Sequence, residues 1–319
     1  MEKDCVAVYV IVVLYNGAKW IGKCFDSLRN STIPVKIIAI DNCSKDNSVN
    51  LVKINYPEIR LIEAGENLGF GRANNIGLAI AIEEGADYVF LLNQDAYIQE
   101  DTIEKLIYIA QKNKNLGIIS PIHLDGSWNK LDYNFSTYLD PNKTPSIISD
   151  ALTFKVSEYY LTTYVNAAAW LITKECILKV GGFDPIFPHY GEDDDYLQRT
   201  IIKGYKIALT PSAFIAHDRI HQPNSLITKN FKRKLIHNTL ILKDLRYQYK
   251  SNINAFIINQ VTDIFKKILF RQFRLALFIL RTFMLSLLNL NKIRQSRSKS
   301  LKDVMPFLEA DNNFKHVNS

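Results

Sequence analysis

Apolar, β-branched runs and amphipathic stretches alternate through residues 6–92, and this alternation restricts the fold more than any other property of the chain. Residues 6–15 form a continuous apolar run, after which Trp20, Ile21, Cys24, Phe25 and Leu28 recur at helical spacing. Residues 35–40 repeat the first pattern and 48–54 the second; residues 59–63 read as strand, 71–84 as helix and 88–92 as strand again. A strand with no polar alternation needs cover on both faces. The repetition therefore predicts an α/β fold, a mostly parallel sheet flanked by helices. Ligands of such sheets bind beyond the carboxyl ends of the strands, so the polar residues at those ends are the functional candidates.

Those ends read Tyr15-Asn16-Gly17, Asp41-Asn42-Cys43-Ser44-Lys45-Asp46, Asn67-Leu68-Gly69-Phe70-Gly71-Arg72 and Asn93-Gln94-Asp95. Asp41 has two readings, an acceptor for a nucleobase or ribose and an Asx-turn or helix cap. The glycines at 69 and 71 would let backbone N–H groups approach a phosphate at a helix start, with Arg72 supplying charge. Asn74 stands where a dinucleotide-binding fingerprint has its third glycine, which disfavours a nicotinamide dehydrogenase. Asp95 is a hard oxygen donor suited to Mg²⁺ or Mn²⁺, the alternative being a solvated loop aspartate.

Downstream, Glu192-Asp193-Asp194-Asp195 follows the turn-forming Gly181-Gly182-Phe183-Asp184-Pro185-Ile186-Phe187-Pro188. Adjacent carboxylates raise one another's pKa, a cost that a bound cation or a proton-transfer task would use. An acidic helix N-terminus is the competing reading.

In this order, Tyr-Asn-Gly, Ile-Asp-Asn-x-Ser-x-Asp, Asn-Leu-Gly-Phe-Gly-x-Ala-Asn-Asn-x-Gly, Leu-Leu-Asn-Gln-Asp-Ala and Gly-Gly-Phe-Asp…Gly-Glu-Asp-x-Asp-Tyr-x-x-Arg resemble the motifs of family 2 inverting glycosyltransferases of the GT-A fold. The rhamnosyltransferase-like branch is the nearest, and the resemblance spans about residues 5–225. It implies that Tyr15, Asn16 and Asp41 contact the nucleoside of a nucleotide-diphosphate sugar, and that Asn67, Gly69 and Arg72 lie beside ribose and diphosphate. Asp95 matches the last position of a metal-binding Asp-x-Asp signature whose first position is here the neutral Asn93; His217 matches a late metal-site histidine, with a packed strand-end histidine as the alternative. Asp193 matches the general base, with Glu192 beside it and Asp194 on the acceptor side. The segment Val165-Asn166-Ala167-Ala168-Ala169-Trp170 resembles an acceptor-pocket lining in which Ala168 leaves space and Trp170 offers a flat face, or else belongs to the core. The activity implied is inverting transfer, with L-rhamnose from dTDP-rhamnose the best donor, to a lipid-linked or polysaccharide acceptor in cell-surface glycan synthesis.

A net charge of +7 conceals an asymmetry: sixteen Lys and Arg between Lys229 and Lys299 face only Asp244 and Asp263, whereas residues 1–228 carry −6. This divides the 319 residues into a catalytic domain, 1–228, and a basic helical appendage, 229–319. Wound as one helix, Gln260, Asp263, Lys267, Arg271, Arg274 and Arg281 share a polar arc, and Phe256, Ile257, Ile264, Ile268, Leu275, Phe278 and Ile279 fill the rest. Charges interrupt every stretch long enough to span a bilayer, so the tail is expected on an anionic membrane surface at the cytoplasmic face, with docking on its own domain or a second copy as the alternative. Nucleic-acid binding is disfavoured because the cations alternate with long apolar runs. A UDP-sugar donor and a non-catalytic sugar-nucleotide binder remain open readings. Cys5, Cys24, Cys43 and Cys176 show no zinc or disulfide spacing, and the N-terminus, with Glu2 and Asp4, lacks the charge of a signal peptide.

Overall fold

The computed structural model describes residues 6–219 and 228–308. Nine strands form one sheet: β1 (Val8–Leu14), β2 (Lys36–Asp41), β3 (Arg60–Glu63), β4 (Tyr88–Asn93), β5 (Ala96–Ile98), β6 (Leu116–Asp125), β7 (Tyr160–Thr162), β8 (Ala169–Thr173) and β9 (Lys206–His217). Their order is β3-β2-β1-β4-β8-β6-β9-β5, with β7 paired to β9. The half built from β1 to β4 is wholly parallel, as the alternation predicts. Beyond it β8 runs antiparallel to β4 and β6, and β5 and β7 antiparallel to β9, so the sheet as a whole is mixed.

Helices α1 (Ala18–Arg29), α2 (Ser48–Asn55), α3 (Gly69–Glu83), α4 (Thr102–Lys112), α5 (Tyr133–Ser136), α6 (Ile147–Leu152) and α7 (Lys174–Val180) connect the strands, and α8 (Glu192–Ile202) precedes β9. Both sheet faces are covered, which explains the unbroken apolar run of β1. Val8, Val10, Val12 and Leu14 pack into one core, Tyr9 and Ile11 into the other. Gly77 lets α3 lie close on β1, since a Cβ there would stand 2.7 Å from the Ile11 side chain.

After β9 come α9 (Thr228–Lys243), α10 (Tyr249–Leu269), α11 (Phe273–Leu288) and α12 (Leu290–Ser300), which share a small core of Leu242, Phe256, Phe283 and Ile293. The expectation of one continuous amphipathic helix fails here. The chain breaks between α10 and α11, where Arg271 takes φ +56°, and Phe283 of α11 packs on Phe256 of α10 with ring centroids 5.7 Å apart. Gln260, assigned to the polar arc, is buried in this bundle. The end of the described chain returns to the catalytic domain: Gly182 N–H donates to Pro306 O at 2.8 Å and Met305 N–H to Leu178 O at 2.9 Å. Cys24, Cys43 and Cys176 are free thiols, and Cys5 lies outside the described residues.

Candidate catalytic and donor site

The strand-end loops converge because they are hydrogen-bonded to one another. Asn16, in the left-handed region at φ +49°, accepts from Lys45 N–H at 2.8 Å on its side-chain oxygen and donates its own N–H to the Ser44 hydroxyl oxygen at 3.0 Å. Asp46 caps the start of α1 through Ala18 N–H at 3.0 Å and also holds Ser48. Asp41 is buried at the end of β2 and accepts from Ser44 N–H, three residues on, at 3.1 Å, a local loop bond, while its strand-end place keeps it on the ligand edge. Asn42 joins the next loop, donating to Gly69 O at 3.2 Å and accepting from Leu68 N–H at 3.1 Å.

Gly69 is explained differently from the expectation. It has φ +77°, and a Cβ would meet Pro188 O at 2.2 Å, so the glycine permits close approach of the segment leading into α8. Its N–H donates to the Asn67 side chain at 2.9 Å. Arg72 is exposed, 3.8 Å from Glu66.

Gln94 fastens the fourth loop to the first by gripping the main chain of the exposed Tyr15, with Tyr15 N–H donating at 2.9 Å and Tyr15 O accepting at 3.0 Å. Asn93 N–H donates to Ala168 O at 2.9 Å. Asp95 is thereby presented to His217, whose Nε2 lies 3.3 Å from Asp95 Oδ1 across the β5–β9 pair. Burial alone would raise the Asp95 pKa, but the His217 ring and Arg219 bring it below the usual carboxylate value. The His217 Nδ1 is buried without a hydrogen-bond partner. Among the described residues no group of three or more His, Cys, Asp or Glu side chains is placed to hold a metal ion. Asp95 and His217 thus offer two converging donors, which suits a Mg²⁺ or Mn²⁺ that takes its other oxygens from water and a diphosphate.

The four carboxylates occupy the first turn of α8, so the helix-start reading is correct as geometry. They are not equivalent. Asp195 is buried in ion pairs with Arg199 (2.8 Å) and Lys243, Asp194 is exposed, and Asp193 is half-buried, accepting from Ala167 N–H at 3.1 Å. Burial, with the Glu192 and Asp194 charges, pushes the Asp193 carboxyl up to about 8; burial chiefly lifts Glu192 to about 7. A carboxyl poised near neutrality has the proton affinity of a general base.

The acceptor-side assignments need correction. Trp170 has no exposed surface and lies between Phe183 and Tyr196, at centroid distances of 6.3 and 5.9 Å, so it is core and offers no face to a sugar. The Ala168 side chain is likewise buried, and that residue contributes its carbonyl to Asn93. The aromatic groups beside Asp193 are instead Tyr138 and Tyr164, edge to face at 5.0 Å with Lys143 over both rings. Burial, aided by the Asp193 charge, raises both phenols, Tyr138 to about 12. Their sequence surroundings carry no periodic signal, and neither does the Arg219–Asp132 ion pair that closes this side.

The family model for Glycosyl transferase family 2 matches residues 9–167, the region that builds these strand ends. The chain belongs to glycosyltransferase family 2. Its relatives include the N-acetylglucosaminyl-diphospho-decaprenol L-rhamnosyltransferase of Mycobacterium tuberculosis, 25% identical over 66% of this chain and 76% of that one. Rhamnosyltransferase WbbL of Escherichia coli is 28% identical over 70% and 88%. Among solved structures, this glycosyltransferase shares the fold of the mannosyltransferase PcManGT from Pyrobaculum calidifontis, with a TM-score of 0.54 at 15% identity, covering 89% of this chain and 86% of that one. It also shares the fold of S. aureus TarS 1-349, with a TM-score of 0.52 at 13% identity over 77% and 69%. These are GT-A folds, as the motif resemblance implies.

Proposed function

We propose that this glycosyltransferase moves a hexose, with inversion, from a nucleoside-diphosphate sugar to a lipid-linked or polysaccharide acceptor in cell-surface glycan synthesis. L-rhamnose from dTDP-rhamnose is the favoured donor, supported by the two rhamnosyltransferase relatives. The observation that carries the reading is the separation of two acidic centres on one sheet edge: Asp193, lifted to about 8, and Asp95, held low beside His217.

In the reaction Asp193 accepts the proton of the acceptor hydroxyl while that oxygen bonds to the anomeric carbon and the bond to the diphosphate breaks on the opposite face. Asp41 and the Asn16, Asn42 and Asn67 network hold the nucleoside and ribose in line. Asp95 and His217 would hold Mg²⁺ or Mn²⁺, which would offset charge developing on the departing diphosphate. PcManGT was solved with GDP-Man and Mn²⁺, which supports the same dependence here.

We place the enzyme at the cytoplasmic face of a membrane, where a lipid-linked acceptor is presented. The support is the α10–α11 hairpin, which exposes Phe265, Leu269, Phe270, Phe273, Leu277 and Leu288 among Lys266, Arg271 and Arg274, with no acidic residue between Ile264 and Leu288. No single described helix is long and apolar enough to cross a bilayer; α11 and α12 together pass by length and composition but bend by 58°. The function is tested by screening dTDP-rhamnose, UDP-sugars and GDP-mannose for thermal stabilisation with and without Mn²⁺, then for turnover. Stabilisation by dTDP-rhamnose above the others is expected. Preference for a UDP-sugar would reassign the donor, and no binding of any would refute the reading.

A further inference from the structure

The helix that carries Asp193 is held from behind by the C-terminal bundle. At about 100° per residue Asp193 and Asp195 face opposite sides of α8, so Asp195 points away from the cleft. There the buried ammonium of Lys243, the last residue of α9, meets both Asp195 and Asp184, the latter in the segment that leads into α8. Asp184 also accepts from the Ser296 hydroxyl of α12. Arg199, fully buried, completes the cluster by bonding Asp195 and donating to Val180 O at 2.6 Å and Gly182 O at 2.8 Å. Two carboxylates therefore balance two cations. Further contacts run the same way: a Cβ on Gly191, at the α8 cap, would lie 2.6 Å from the Ile236 side chain of α9, and Leu245 N–H donates to Gln198 at 3.0 Å.

Buried charges require such pairing, and removing one partner leaves an uncompensated charge. A surface appendage would not need one. We propose that Lys243 is a positioning residue for Asp193: its ammonium pins α8 to the bundle and so sets where the base meets the acceptor hydroxyl. The inference rests on the reading of Asp193 as the base.

The groups facing Asp193 are Glu192 and Asp194 on α8, the Ala167 N–H, and Tyr138 and Tyr164, with Lys143 acting on Asp194. None of them replaces the lost ammonium, so Lys243→Met leaves one extra negative charge behind α8 and should favour protonated Asp193.

The test compares the full chain with K243M and with D184N/K243M, which removes one carboxylate together with the ammonium. Affinity for UDP and dTDP with Mn²⁺ should stay within about twofold, because the donor loops follow β1 to β4, whereas Lys243 bonds Asp184 and Asp195 behind α8. Turnover of whichever nucleotide sugar the wild type uses should fall about 10- to 100-fold with KM little changed, the cost of a misplaced base. In K243M the acidic limb of the rate profile should move up by about one pH unit, and in the double variant it should return while turnover stays low. Amide exchange across α8 should quicken in both. Wild-type turnover with unchanged α8 exchange in either variant, or nucleotide affinity lost in step with turnover, would overturn the proposal. If K243M does not fold, the charge-balanced double variant decides. If the wild type turns over no nucleotide sugar, the proposed function fails, while α8 exchange still decides whether Lys243 pins the helix.

Discussion

Asp193 combines a catalytic position with a stability cost. Its carboxyl ordinarily titrates at 3.8 and here at about 8, and Glu192 moves from 4.5 to about 7, so the folded state keeps protons that the unfolded chain releases. The stabilising contribution is full below the unfolded values and is lost as pH rises toward those of the folded state. Asp193→Asn keeps an oxygen for Ala167 N–H but cannot ionise. Calorimetry should therefore find the variant more stable than wild type at pH 8 and equal to it below about pH 3, while turnover drops by at least about 10²-fold. A variant less stable than wild type at pH 8 would show that the charge is compensated. Asp95→Ala acts elsewhere. Titration calorimetry of dTDP or UDP should show affinity in Mn²⁺ falling by more than the roughly tenfold typical of a lost outer-shell partner, with little change in metal-free buffer. An equal loss with and without Mn²⁺ would place Asp95 on the nucleotide itself.

At the scale of elements, the donor loops and α8 meet through Gly69. Gly69→Ala should lower stability in urea by roughly 1–3 kcal/mol, since φ +77° and contact with Pro188 O both exclude a side chain. An unchanged midpoint would mean that the segment before α8 moves aside without cost. The strand ends were legible because a parallel sheet buried on both faces writes its strands as apolar runs and stops them at polar loops. The antiparallel β8 and β5 were less so, since pairing direction leaves no trace in a short apolar segment. Trp170 misleads for a related reason: an aromatic residue after three alanines looks like a pocket wall, yet strand alternation turns it into the core beside Phe183. Lys243 gave no signal because its partners lie 48 and 59 residues away and only the packed bundle removes its water. The break at Arg271 likewise lacks the Gly or Pro that usually marks one.

Across the whole molecule, charge and apolar surface segregate to the end opposite in character to the acidic catalytic body. Each cation near an anionic bilayer contributes on the order of 1 kcal/mol, and the exposed side chains of the hairpin add an apolar anchor that salt does not screen. Phe278 and Ile279 are half-buried within the bundle, so Phe270 and Phe273, both exposed, are the better probes. The full chain should co-sediment with phosphatidylserine vesicles at moderate salt, and F270D/F273D should lose that binding while keeping its fold. Equal partitioning of the two would assign the hairpin to a second copy or leave it free in solution. The central claim remains the chemistry at Asp193, and the most direct measurement is the anomeric configuration of the transferred sugar by ¹H NMR. The account predicts inversion relative to the donor, with Asp193→Asn unable to form the product at a comparable rate; a product that retains the donor configuration would contradict it.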